Sequence, residues 1–154
     1  MRTLTVLLAI VALGGSAVAQ EKKAKSLQLK DLPAAVQKGI QDNLKGGEIK
    51  NIEKEKENGV EQYEVETTLN GKSRDIELDT KGNLLEVEEA TTIDAVPAAA
   101  KAALLKKIGD GKLTEVETVT KTGAPAPMYE AEYTDAKGKK HEVLVKADGT
   151  EVKE

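Results

Sequence analysis

The sequence predicts an α+β protein behind an N-terminal signal peptide, a tandem repeat in which each copy is one helix packed on a four-stranded antiparallel sheet. Three observations carry this expectation. An apolar leader ends in a small-residue cleavage pattern. A proline, glycine and tyrosine punctuation recurs in the same order along the rest of the chain. Within each copy the apolar period changes from about four residues to two, the mark of a helix followed by strands.

Arg2 gives the leader its positive start, Leu4 to Leu13 form an apolar stretch interrupted by Thr5, and Ala17-Val18-Ala19 supplies the small-x-small pattern. Cleavage is expected between Ala19 and Gln20, making residues 1–19 the signal. The apolar run is shorter than the roughly 20 residues of a membrane span. The expected product is a periplasmic or secreted protein with no membrane attachment once the signal is gone. A Lys-rich lead, read as flexible, fills residues 20–30 with Lys22, Lys23, Lys25 and Lys30.

Residues 31–90 and 91–154 form the two copies. Pro33 aligns with Pro97, Gly47 with Gly111, Glu53 with Glu117 and Gly59 with Gly123. Past a short insertion at Pro125-Ala126, Tyr63-Glu64-Val65-Glu66 matches Tyr129-Glu130-Ala131-Glu132, and Gly82 matches Gly149.

Each copy opens with a proline, tolerated in the first turn of a helix because the missing N–H has no partner there. Leu32, Val36, Ile40 and Leu44 then form one helical stripe, ended by Gly46-Gly47. The second stripe is Val96, Ala100, Leu104 and Ile108, ended by Gly109 and Gly111. A first strand is expected near Ile49–Lys56 and again near Leu113–Thr120, although Val119 falls on the opposite face from Val116. Tyr63, Val65, Thr67 and Leu69 alternate with Glu64, Glu66 and Thr68, a half-buried strand that turns at Asn70-Gly71. Ile76 and Leu78 continue the next strand, and Leu85 and Val87 the one after the turn at Gly82. Copy two repeats the pattern through Tyr129, Ala131 and Tyr133, then His141, Val143 and Val145, then Val152. A module of this size is marginal alone, so the copies should support one another.

The punctuation resembles that of the PepSY-like, β-lactamase-inhibitor-like family over residues 31–154. The resembling motifs are Leu32-Pro33 and Val96-Pro97, Tyr-Glu-x-Glu at Tyr63 and Tyr129, and Asp79-Thr80-Lys81-Gly82 and Ala147-Asp148-Gly149. The resemblance implies an exported bacterial protein with tandem helix-on-sheet domains like those of β-lactamase inhibitory protein. It also suggests inhibition or regulation of exported enzymes such as peptidases, and it carries no functional residue over to this chain.

Composition narrows the chemistry. Phe, Trp and Cys are absent and Tyr63, Tyr129 and Tyr133 are the only aromatics, so the core must be aliphatic and no disulfide can form. Losing Arg2 takes the net charge from −4 to −5, which gives nucleic acid no basic surface to bind. The single histidine, His141, lies in phase with Val143 and Val145 and reads as a packing residue at a strand start. Zinc lacks its usual ligands, and Asp79–Asn83 is too sparse in oxygens for a calcium loop. No catalytic residue, metal ligand or cofactor is therefore assigned.

The acidic residues offer one candidate. Residues 31–90 hold 15 Asp/Glu against 8 Lys/Arg, a net of −7, whereas residues 91–154 hold 11 against 10. Glu64, Glu66, Glu77, Glu86 and Glu88 should share the sheet face away from the helix, solvated, where a basic partner or loosely held cations could meet them. The first reading of function is a non-enzymatic binding or regulatory protein whose partner is another exported protein, with inhibition of an extracytoplasmic enzyme as one form. The alternative is a structural or stress-related envelope protein without a specific ligand. Oligomeric state is left open.

Overall fold

A computed structural model describes residues 26–57 and 59–153. The signal peptide, its Ala19–Gln20 junction and the first part of the lead lie outside the described residues. The chain runs through a short 3-10 turn (Leu29–Asp31), α1 (Ala34–Asn43), β1 (Glu48–Glu57), β2 (Val60–Leu69), β3 (Lys72–Asp79) and β4 (Leu84–Ala90). It continues through α2 (Ala98–Ile108), β5 (Lys112–Lys121), β6 (Met128–Thr134), β7 (Lys140–Lys146) and β8 (Glu151–Val152).

The sheet corrects the expected α+β architecture. The strands do not make two four-stranded sheets, each under its own helix; they form one eight-stranded antiparallel sheet in the order β1 to β8. The molecule is mostly strand, with two short helices. The overturning contact is β4 against β5, where Val87 faces Thr120 and Glu89 faces Thr118. Thr91 N–H donates to Val116 O at 2.8 Å and Thr122 N–H to Leu85 O at 2.7 Å, lengthening that seam at both ends. A strand edge leaves a row of backbone donors and acceptors unsatisfied, and joining the two halves satisfies both rows at once.

Both helices lie on one face of this sheet. Val36 and Ile40 of α1, with Leu32, pack on Ile52, Tyr63, Val65, Ile76 and Leu78. Ala100, Leu104 and Ile108 of α2, with Val96, pack on Val116, Ala131, Val143 and Val145. The predicted stripes therefore point inward, except that Leu44 is the residue after α1 and is only half-buried. Pro33 and Pro97 are the N-cap residues, and their carbonyls accept the Gln37 and Lys101 N–H groups at 3.0 and 2.8 Å.

Two glycines explain why the punctuation repeats. Gly82 and Gly149 sit in the left-handed region at φ +83° and +84°, in the β3–β4 and β7–β8 turns. A Cβ on Gly82 would lie 2.2 Å from Ala35 O, and one on Gly149 2.8 Å from Ala99 O. In each half, then, a tight turn presses its bare backbone against the first turn of the helix, a contact only glycine permits.

The helix face also carries a buried charge. Arg74, only 2% exposed, donates through Nε to Glu89 Oε1 at 3.0 Å and through a terminal nitrogen to Asn43 O at 2.9 Å. The guanidinium thus ties the end of α1 to β4.

Candidate functional site: an acidic face buried in the sheet

The strand register builds the other face from carboxylates. Cross-strand neighbours share a face. One row reads Glu53, Glu64, Glu77, Glu86 and Lys121 across β1 to β5. The next reads Asn51, Glu66, Asp75, Glu88 and Val119 over the same strands. Glu117 faces Glu130 on β5 and β6, and beyond them Glu115, Glu132 and Glu142 line up. The five glutamates singled out from the sequence thus lie together on β2, β3 and β4, flanked by acids from both halves of the chain.

Their setting differs from the expected solvated surface. Glu64, Glu77, Glu86 and Glu88 are buried, and Glu66 alone of the five is half-buried. Asp75, Glu117 and Glu130 are buried beside them. Directly opposed side chains stand about 5 Å apart at Cβ, so each carboxylate is screened from water by its neighbours. Val119 and Leu144 are buried on this same face and belong to neither helix-side cluster, which adds apolar surroundings to the acids.

The electrostatic consequence is large. Burial first, and then the negative charges of Glu55, Asp75, Glu77 and Glu66, push Glu64 up to about 9. Burial, followed by Glu130, Glu117, Glu77 and Glu86, pushes Glu88 up to about 11. Both are held as neutral acids near pH 7. Donors are found toward the rim. Gln62 Nε2 donates to Glu55 Oε1 at 2.9 Å and Glu77 Oε2 at 3.2 Å, Asn51 Nδ2 donates to Glu53 Oε1 at 2.9 Å, and Lys121 Nζ lies 3.2 Å from Glu86 Oε2. Among the described residues, no hydrogen bond or ion pair reaches the carboxyl groups of Glu64 and Glu88. Asp75, Glu88 and Glu117 converge, with one carboxylate oxygen from each within 4.8 Å of the others. Asp75 Oδ1 and Glu130 Oε1 are buried oxygens that accept no hydrogen bond, although both residues make other interactions.

Asp75, Glu117 and Glu130 were not among the sequence candidates, yet the repeat contained the signal for one of them, since Glu130 aligns with Glu64. Elsewhere, His141 Nε2 lies 2.9 Å from Asp135 Oδ2, and its ring stacks on Tyr133 with centroids 5.1 Å apart. Asp135 is held down at about 2, chiefly by that contact and by the backbone N–H of Lys139. This cluster sits at the β6–β7 turn, on the helix side of the sheet.

Comparison with known proteins fits this architecture. The family model described as "Putative beta-lactamase-inhibitor-like, PepSY-like" matches twice, over residues 17–86 and 61–150. No curated protein matches the chain. Among solved structures, one described as "putative periplasmic proteins" from Bacteroides eggerthii superimposes with a TM-score of 0.62 at 18% identity, covering 79% of this chain and 86% of that one. A BLIP-like protein from Bacteroides fragilis gives 0.56 at 18% identity over 79% and 84% of the two chains. A DUF2874 family protein from Bacteroides uniformis gives 0.61 at 18% identity over 79% and 86%. At these identities the likeness establishes a shared fold. Among the described residues, no helix is long and apolar enough to cross a membrane.

Proposed function

This chain belongs to the PepSY-like, β-lactamase-inhibitor-like family, and from that premise we propose that it is an exported, non-enzymatic protein that binds a cationic partner on its acidic sheet face. The observation that carries the proposal is the extent of that face, with carboxylates in register across β1 to β4 and again across β5 to β7. Such a surface attracts positive charge over a distance and speeds encounter. It offers no aromatic anchor, since Tyr63, Tyr129 and Tyr133 lie on the helix side. Affinity would then come from charge and fall with salt, rather than from a few deeply buried contacts. The proposed setting is the periplasm, in line with the leader and with the description of the Bacteroides eggerthii neighbour. Regulation of an exported enzyme is the form of binding that the family name suggests.

The sole imidazole, His141, is engaged by Asp135 and Tyr133, which supports the non-enzymatic reading. The test is capture of partners from a native envelope fraction by the mature protein and by a variant reversing three charges outside the buried centre, Glu53→Lys, Glu66→Lys and Glu132→Lys. The reading expects a stoichiometric partner with a basic surface, released by salt and lost with the variant. Recovery of no partner, or equal capture by the variant, would refute it. Assays of exported peptidases and β-lactamases with micromolar protein check the inhibitory form directly.

A further inference from the structure

The buried centre of the acidic face calls for a smaller cation than a protein side chain. Asp75 and Glu88 are direct cross-strand neighbours on β3 and β4, and Glu117 and Glu130 are direct neighbours on β5 and β6. The two pairs come from opposite halves of the chain and meet across the β4–β5 seam. Oxygens of Asp75, Glu88 and Glu117 lie within 4.8 Å of one another. Two ligands on opposite sides of a calcium ion are separated by about 4.8 Å when each Ca–O distance is about 2.4 Å, so three oxygens this close fit within one coordination sphere.

Glu88 supplies a separate indication. The residue is only 5% exposed, its carboxylate points into this group, and among the described residues no donor reaches it. Glu64, 6% exposed, shares that lack one row away. A buried carboxyl group without a donor is costly, and a proton or a metal ion relieves it. Of the nearby side-chain cations, Lys121 pairs with Glu86 in the adjacent row and Arg74 with Glu89 on the other face. The donor set is all oxygen, which suits calcium; magnesium keeps several of its waters and a rigid octahedron, and zinc prefers nitrogen and sulfur.

We propose that Asp75, Glu88 and Glu117, with Glu130 beside them, hold a calcium ion that fastens the two halves of the sheet together. The inference deepens the reading of this face as the binding surface, and it requires no protein partner. Its test is isothermal titration of the mature, EDTA-dialysed protein with calcium chloride and separately with magnesium chloride, beside thermal melts in calcium and in EGTA. The expected result is one saturable calcium site per chain, at least tenfold weaker binding of magnesium, and a melting temperature that rises in calcium and returns in EGTA. Glu88→Gln should weaken calcium at least tenfold, whereas Glu48→Gln, on the exposed end of β1, should not. If Glu88→Gln fails to fold, Glu88→Asp keeps the charge, shortens the reach and should weaken binding in the same sense. No saturable heat and no calcium-dependent melt up to ten millimolar would overturn the site, as would several weak sites indifferent to Glu88→Gln. Because the measurement uses no partner, failure here leaves the protein-docking reading standing, and failed capture leaves the calcium site standing.

Discussion

Raising the pH should destabilise this protein, against the common trend for folds held by ionised carboxylates. Glu64 and Glu88 ordinarily ionise near 4.5 and are pushed to about 9 and about 11 in the fold. Between those limits the folded chain keeps protons that the unfolded chain releases, so stability falls as pH rises. The contribution is complete below about 4.5; its loss through Glu64 ends near 9 and through Glu88 near 11. Each group removes about 1.4 kcal/mol per pH unit within its window. Two groups over the two units from pH 5 to 7 give a ceiling of about 5 kcal/mol, approached less closely because the neighbouring carboxyls titrate as a set. With a urea slope of about 2 kcal/mol per molar, the midpoint should fall by up to about 2.5 M. The assay is urea unfolding of the calcium-free mature protein, followed by circular dichroism at pH 5, 6, 7 and 8. Glu88→Gln mimics the protonated side chain, so it should flatten the slope by up to about 1.4 kcal/mol per unit and exceed the wild type at pH 8. A wild-type midpoint that is flat or rises from pH 5 to 8 would refute the argument.

Three further expectations concern the scaffold. Gly82→Ala should destabilise by more than about 2 kcal/mol, because the added Cβ meets Ala35 O at 2.2 Å and the backbone sits at φ +83°; Gly71→Ala, at φ +78° in open space, should cost only about 1 kcal/mol. Urea midpoints of the two variants give the comparison. Arg74→Ala should cost about 2–3 kcal/mol, since it removes a buried charged donor from Glu89 and from the end of α1, and Arg74→Lys should recover only part of that by the same measurement. His141→Gln should raise the Asp135 titration midpoint from about 2, because the imidazole contact is the leading cause of its depression; carboxyl carbon NMR follows it directly.

Much of this fold could be read from residue order. The stripes through Val36 and Ile40 and through Leu104 and Ile108 locate both helices, and the aligned Gly82 and Gly149 mark turns that contact helices. What stayed hidden depends on neighbours in space. Nothing local in Leu84–Ala90 says that its free edge meets Lys112–Lys121, because pairing between two edges is decided by geometry as well as by alternation. The acidic face shows the same limit. Glu64-Val65-Glu66 reads as an outward polar pattern, and only the register reveals that Glu66 faces Asp75 and Asp75 faces Glu88. One clue was visible: Val119 falls out of phase with Val116, and it proves to be an apolar residue buried among carboxylates.

The β4–β5 seam also changes how the protein meets its own kind. Two separate four-stranded sheets would present four open edges, each able to recruit a strand from another molecule and begin aggregation. Among the described residues the joined sheet has two, β1 and β8. At β1, Leu27 N–H donates to Ile52 O at 2.7 Å, and exposed Lys50, Lys54 and Lys56 line the strand. At the far side, β8 is two residues long, too short to template much. Duplicating the module thus lengthened the sheet without multiplying its sticky margins.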